Sequence, residues 1–156
     1  MIFFPSICFL LTILNLIVTK QIIMSRIALD SNILIYNHSL DHNEKRLIAR
    51  NFFNENPIVS SQVISEYLNV MKRNFKMQKL ELMQLCSLWL EKCSVQPVIL
   101  STIKLAKDLV GKYDFQVFDG IIIAAALEAD CSILYSEDMQ NGQIIEDKLK
   151  IVNPFI

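Results

Sequence analysis

Four acidic residues, Asp30, Glu66, Asp119 and Asp138, stand far apart along the chain, each next to the end of a short apolar run or the start of a periodic one. If folding brings them to one rim, their like charges repel and raise each other's pKa values, so the cluster calls for a cation. Oxygen ligands, with no His or Cys in the pattern, suit Mg²⁺ or Mn²⁺. Such an ion polarises a phosphoryl oxygen and acidifies a bound water for in-line attack, which makes a phosphate ester the natural substrate. Taken singly, each acid has a plainer role. Asp30-Ser31-Asn32 is an Asx turn, Glu66 a solvated helix flank, Asp119 a helix N-cap and Asp138 a turn residue. The joint pattern carries the argument.

The elements that must position these acids alternate between short apolar runs and longer periodic ones, which is the order of a parallel sheet covered by helices on both faces. Strands are expected over 26–29, 57–59, 95–100, 132–135 and 150–152. Helices are expected over 33–36, 44–54, from the Ser60-Ser61 cap to Arg73, 79–93, from the Ser101 cap to Val110 with Gly111 as its stop, and 120–129 opened by Asp119. On this scheme Asp30 ends the first strand, Glu66 sits in the second turn after the second, and Asp138 follows the fourth. In an open parallel sheet those positions share the edge that holds the ligand crevice.

These residues resemble the PIN-domain family. The runs IALDSNILIY at 27–36 and SSQVISEYL at 60–68 are similar to its first two motifs, residues 113–126 around Asp119 and LYSED at 134–138 to its third and fourth, and IVNPF at 151–155 to its close. The similarity spans 24–156 and is greatest to VapC-type toxins of type II toxin–antitoxin systems. It implies a three-layer α/β/α fold with a central, mostly parallel five-stranded sheet, and a metal-dependent endoribonuclease acting on RNA. It further implies that Asp30, Glu66, Asp119 and Asp138 surround one or two Mg²⁺ or Mn²⁺ ions, that Asn32 and Ser136 orient those carboxylates by hydrogen bonds, and that a homodimer is silenced by a cognate antitoxin gripping the helices over 66–93. A catalytically silent PIN scaffold and a housekeeping PIN nuclease without an antitoxin are the alternatives. A flap-type DNA nuclease would need an inserted helical arch that this length does not allow. The chain departs from the family in Ser31 and Ser136, where Thr is common, and in Gly120, where Ala is commoner.

Lys72, Arg73, Lys76 and Lys79 put four positive charges and no acid into 71–79, either to lead RNA phosphates to the metal or simply as a solvated helix end favourable to the dipole. Phe75 within the patch either stacks a base or packs. Lys45, Arg46 and Arg50 form a weaker second patch. His38 and His42 with Asp41 lack the four separated ligands of a structural metal site and read as a polar loop, and Trp89 reads as core or an oligomer face.

The 156 residues make one domain. At 53% hydrophobic and 20% charged the chain is neither disordered nor a polar linker, and a net charge of −1 from 15 basic and 16 acidic residues excludes bulk polyanion binding. Cys8, Cys86, Cys93 and Cys131 form no CxxC pair and read as reduced thiols of a cytoplasmic protein. The apolar excess lies in 1–23, where 2–18 carries no charge. No basic residue precedes that run as a signal peptide requires, and Pro5 and Asn15 interrupt it as a spanning helix. The preferred reading is that translation starts at Met24. A membrane tether remains only if residues 1–23 are translated and retained.

Overall fold

A computed structural model of the chain describes residues 26–39 and 42–156. The apolar leader with Cys8, and the start at Met24, lie outside the described residues. Among the described residues no helix is long and apolar enough to cross a membrane.

The elements come in the order β1 (Ile27–Leu29), α1 (Ser31–His38), α2 (Asn43–Phe52), β2 (Ile58–Ser60), α3 (Ser61–Phe75), α4 (Lys79–Leu90), β3 (Ser94–Gln96), α5 (Leu100–Tyr113), α6 (Val117–Glu128), β4 (Ile133–Tyr135), β5 (Ile144–Ile145) and β6 (Leu149–Val152). Five strands run parallel in the order β3-β2-β1-β4-β6, and β5 joins the outer edge antiparallel to β6. The expected parallel five is therefore present with a sixth strand added. Two residues are too few to leave a period in the sequence.

β1 is the pivot of this sheet. The chain leaves it toward β2 and β3 on one side and returns to β4 and β6 on the other, with Ala28 opposite both Ile58 and Leu134. The crevice of a doubly wound sheet opens at such a reversal of strand order, and Asp30 is the first residue beyond β1. The strands are short, and the central ones are buried, with Leu29, Val59, Leu134 and Ile151 at most 1% exposed. Each such side chain contributes about 1.5–3 kcal/mol by leaving water, enough together to fix the strand ends that carry the acids.

Several element boundaries differ from expectation: the helix expected over 33–36 spans Ser31–His38, that over 79–93 ends at Leu90, and α5 is capped by Ile99 rather than Ser101, the Ile99 N–H donating to Thr102 Oγ1 at 3.1 Å. Three further boundaries also shift. β3 stops at Gln96 rather than running on to residue 100, because Pro97 has no N–H for the ladder; the Val98 N–H donates instead to Ser61 Oγ at 3.0 Å. Helix α5 continues through Gly111 to Tyr113 and ends on Asp114 in the left-handed region (φ 59°). Gly111 carries a helical cost of about 1 kcal/mol without stopping the helix; beyond it Lys112 pairs with Glu146 and the Tyr113 ring stacks on Phe115 at 5.4 Å. Helix α6 starts at Val117, with Gln116 at the cap, so Asp119 lies in the first turn rather than at the N-cap, where its charge still complements the helix dipole.

Gly120 has a role in packing. A Cβ there would sit 2.6 Å from Val110 Cγ2, so the missing side chain lets α5 and α6 approach. A helical Val is held to one rotamer and cannot swing clear. Gly120→Ala is expected to lose stability by about 1–2 kcal/mol, overpacking outweighing the propensity gain of about 1 kcal/mol. In a thermodynamic cycle with Val110→Ala the two changes should couple favourably by about 1 kcal/mol. Strict additivity in chemical denaturation would show that the contact is not what selects glycine.

The remaining sequence readings fall into place around this core. Trp89 is 5% exposed and meets Tyr67 edge-on at 5.1 Å, which makes it core. Cys86 and Cys131 are buried and Cys93 partly so, all as free thiols. Burial pushes Cys93 up to about 12 and Cys131 to about 11, so both stay protonated and unreactive.

Candidate metal centre at the strand ends

Asp30 anchors the rim. It caps α1, its Oδ1 accepting the Ser31 N–H at 2.6 Å, and is only 5% exposed. Its Oδ2 accepts from Ser136 Oγ at 2.6 Å and Asn32 Nδ2 at 3.0 Å. Burial is the first cause that raises its pKa from 3.8 to about 6, against the lowering effect of the Ser136 and Ser31 bonds; the charges of Glu66 and Asp119 raise it further. The carboxylate is thus fixed, desolvated and faced by like charge.

The other three acids reach the same rim from different elements. Glu66, one α3 turn beyond Gln62, accepts from Gln62 Nε2 at 2.9 Å and from Ser31 Oγ at 3.0 Å. Asp119 projects from the first turn of α6, its pKa raised by partial burial and then by the charges of Glu66 and Asp138. Asp138, exposed beyond β4, accepts from Asn32 Nδ2 at 3.3 Å. It shares with Asp119 a cavity of about 230 Å³ that Phe115, Gln116 and Gln143 also line. Asn32 is the hub, its amide reaching Asp30, Asp138 and, at 3.5 Å, Ser136, while its Oδ1 accepts the Glu137 N–H.

The four carboxylates therefore share one rim without touching a common point. Among the described residues no three His, Cys, Asp or Glu side chains form a cage for an ion. None of the four is paired with a Lys, Arg or His, the described ion pairs being Lys45–Glu137, Lys107–Asp108 and Lys112–Glu146. Like charges repel, so such a set stays spread until a cation joins it. A buried carboxylate pushed to about 6 by burial and like charge, in an all-oxygen set, fits a hard divalent cation.

Glu137 turns away from the acids. It pairs with Lys45, whose ammonium also bonds Tyr36 Oη at 3.2 Å and lies over the Tyr36 ring, 4.5 Å from its centroid. Burial raises the Glu137 carboxyl, but the bonds from Lys45 and Tyr36 and the Lys45 charge together hold it below its usual range. Sequence reading missed this cluster, and it missed the two donors to Glu66, Ser31 and Gln62. Of these only Gln62, at i−4 from Glu66, left a helical signal. Lys72, Arg73, Lys76 and Lys79 are all exposed where α3 ends and α4 begins. His38 packs against Tyr67 at 5.7 Å and His42 edge-on against Tyr36 at 5.5 Å. A cavity of about 680 Å³ contains none of the four acids; Asn37, His38, Arg50, Leu88 and Trp89 line it.

The family model for the PIN domain matches residues 27–141. Among solved structures, a toxin–antitoxin complex from Klebsiella pneumoniae is similar at 19% identity and a TM-score of 0.61, covering 84% of this chain and 98% of that one. VapC20 of Mycobacterium tuberculosis, a toxin that cleaves the sarcin–ricin loop, is similar at 14% identity and 0.54, covering 69% and 86%. VapBC2 from Rickettsia felis, bound to a DNA fragment of its promoter, is similar at 13% and 0.61, covering 81% and 98%. No curated protein matches significantly.

Proposed function

This chain belongs to the PIN domain family, and from that premise we propose that it is a metal-dependent endoribonuclease, the toxin of a type II toxin–antitoxin pair. The observation that carries the proposal is a rim of four carboxylates at the pivot of the sheet, electrostatically coupled and unpaired with any cation among the described residues, with the most buried of them tied by Ser31, Asn32 and Ser136. The similarity to toxin–antitoxin structures supports the toxin assignment through the shared fold.

Asp30, Glu66, Asp119 and Asp138 would hold Mg²⁺ or Mn²⁺. The bound ion supplies Lewis acidity at a phosphoryl oxygen and a water acidified for attack. The protein's own residues do the positioning. Ser136 and Asn32 hold the Asp30 oxygens in one orientation, Ser31 and Gln62 hold Glu66, and Asn32 ties Asp138 to Asp30, each bond orienting a carboxylate that would face the ion. Lys72, Arg73, Lys76 and Lys79 draw in RNA phosphates without reading sequence.

On this reading the chain is a cytoplasmic homodimer that begins at Met24, and its cognate antitoxin grips the α3–α4 pair beside the 680 Å³ cavity. A catalytically silent scaffold is the reading that the spread of the carboxylates favours. One assay separates the two: the purified chain is expected to cut RNA with Mn²⁺ or Mg²⁺ and to stop in EDTA. Intact RNA under both conditions, with no heat of divalent-ion binding in calorimetry, would leave the scaffold.

A further inference from the structure

Asn32 belongs to two places at once. Its amide serves the acid rim, and its side chain is also part of the wall of a second cavity of about 400 Å³, lined further by Ile35, Tyr36, His42, Asn74 and Phe75. This cavity adjoins the rim, has the size of a small-ligand site, and mixes aromatic rings with amides. Its rings differ in availability. Tyr36 is a fixed wall, one face taken by the Lys45 ammonium and its edges by His42 and Phe155. Phe75, the last residue of α3, is 44% exposed and meets no other ring among the described residues. Beside it Asn74 is exposed, its Oδ1 accepting a 3.4 Å bond from Arg73 Nε while its amide donates to no described group. Lys72, Arg73 and Lys76 surround these two residues.

We propose that this cavity takes one unpaired base of the RNA strand next to the cleaved phosphate, stacked on Phe75 and read at its edge by Asn74. The proposal rests on the reading of the chain as an RNA nuclease and names how that nuclease selects its site. An unpaired base has apolar faces and a polar edge, which is the chemistry of this lining, and single-stranded RNA is recognised by aromatic stacking with hydrogen bonds to exposed base edges. The flanking cations match the strand's phosphates, and Asn32 joins the cavity to the acids. A base seated here therefore fixes which phosphate lies at the rim.

The test titrates labelled single-stranded oligomers of A, C, G and U against the full chain in EDTA, which keeps the strand whole. The same titrations are run on Phe75→Ala, Phe75→Trp and Asn74→Ala, with circular dichroism checking each fold. Wild type is expected to prefer one oligomer. Phe75→Ala should weaken that one by about tenfold and bring it to the level of the others, Phe75→Trp should retain the preference, and Asn74→Ala should narrow it. Equal affinity of wild type for all four, or a preference untouched by Phe75→Ala, overturns the proposal. Cleavage in Mn²⁺ is scored separately. A chain that cuts RNA with a base preference indifferent to Phe75→Ala keeps the nuclease and loses the pocket. A chain that cuts nothing yet loses selective binding in Phe75→Ala keeps the pocket and loses the nuclease.

Discussion

Replacing Asp30 with Asn should make the metal-free protein more stable while removing its nuclease activity. On the proposed function the activity loss is expected to be about a thousandfold or more, the rate equivalent of about 4 kcal/mol, because a proposed ligand to the ion and its charge disappear together. The stability gain comes from the raised pKa. Folding lifts Asp30 from 3.8 to about 6, so the folded state holds this proton more tightly than the unfolded one. The group's stabilising effect is complete below the unfolded value and is lost as pH rises through the folded one. At neutral pH the native protein is then about 3 kcal/mol worse off than it would be with a neutral group there. Asn recovers only part of that. Its carbonyl can keep the Ser31 N–H, but its amide would face the Asn32 amide, donor against donor, across the present 3.0 Å bond. A net gain of about 1–2 kcal/mol remains, a rise in melting temperature of about 3–6 °C for a chain of this size. Thermal melts in EDTA from pH 4 to 8 check both points. Wild type should lose stability between pH 4 and 7 relative to Asp30→Asn, and a variant that melts below wild type at pH 7.5 would refute the idea that Asp30 is held at an energetic cost.

Divalent ions should reverse that ordering. Mn²⁺ or Mg²⁺ at about a hundred times its dissociation constant stabilises the folded state by about 2.7 kcal/mol through mass action alone, a rise of about 5–11 °C. The gain is larger if the ion also relieves the repulsion that raises the Asp30 and Asp119 pKa values. Asp119→Asn should lose most of the shift, and Asp30→Asn nearly all of it. Ca²⁺, larger and more tolerant in coordination, serves as a control for general screening of acidic charge. Wild type and Asp119→Asn rising equally in Mn²⁺ would mean that the ion binds elsewhere.

How far the sequence could be read depended on the range of the interaction concerned. The placing of Asp30, Glu66 and Asp138 along one edge was legible because each is tied to a strand end or the helix after it, and a parallel sheet gathers those positions whatever the details; their spread along that edge was not, since it depends on side-chain packing. Asn32 and Ser136 were legible as neighbours of those acids, though not that Asn32 would serve Asp30 and Asp138 together. Gly111 misled, since local propensity said stop while the helix runs two residues further and ends on Asp114, a non-glycine residue in the left-handed region that no residue type announces. Asp119 was assigned to the right end of the right helix, but its place within the first turn depends on Gln116 adopting the cap, and no residue type announces that. Lys45–Glu137 and the cavity between Tyr36 and Phe75 join surfaces with no shared periodicity, so only coordinates bring them into view.

The pivot strand sets a schedule for synthesis. β1 precedes the other described strands in the chain, yet its register is locked against β4 through Ile27 with Ile133 and Leu29 with Tyr135, and the Asp30 N–H bonds to the Tyr135 carbonyl. Contacts between residues so distant form late, because the intervening loop must close first, and a growing chain cannot form them until translation has delivered the far partner. Ser136 and Asp138 arrive with that same segment. The rim that joins Asp30 to Ser136 and Asp138 can therefore assemble only after β4 and the residues just beyond it have been made.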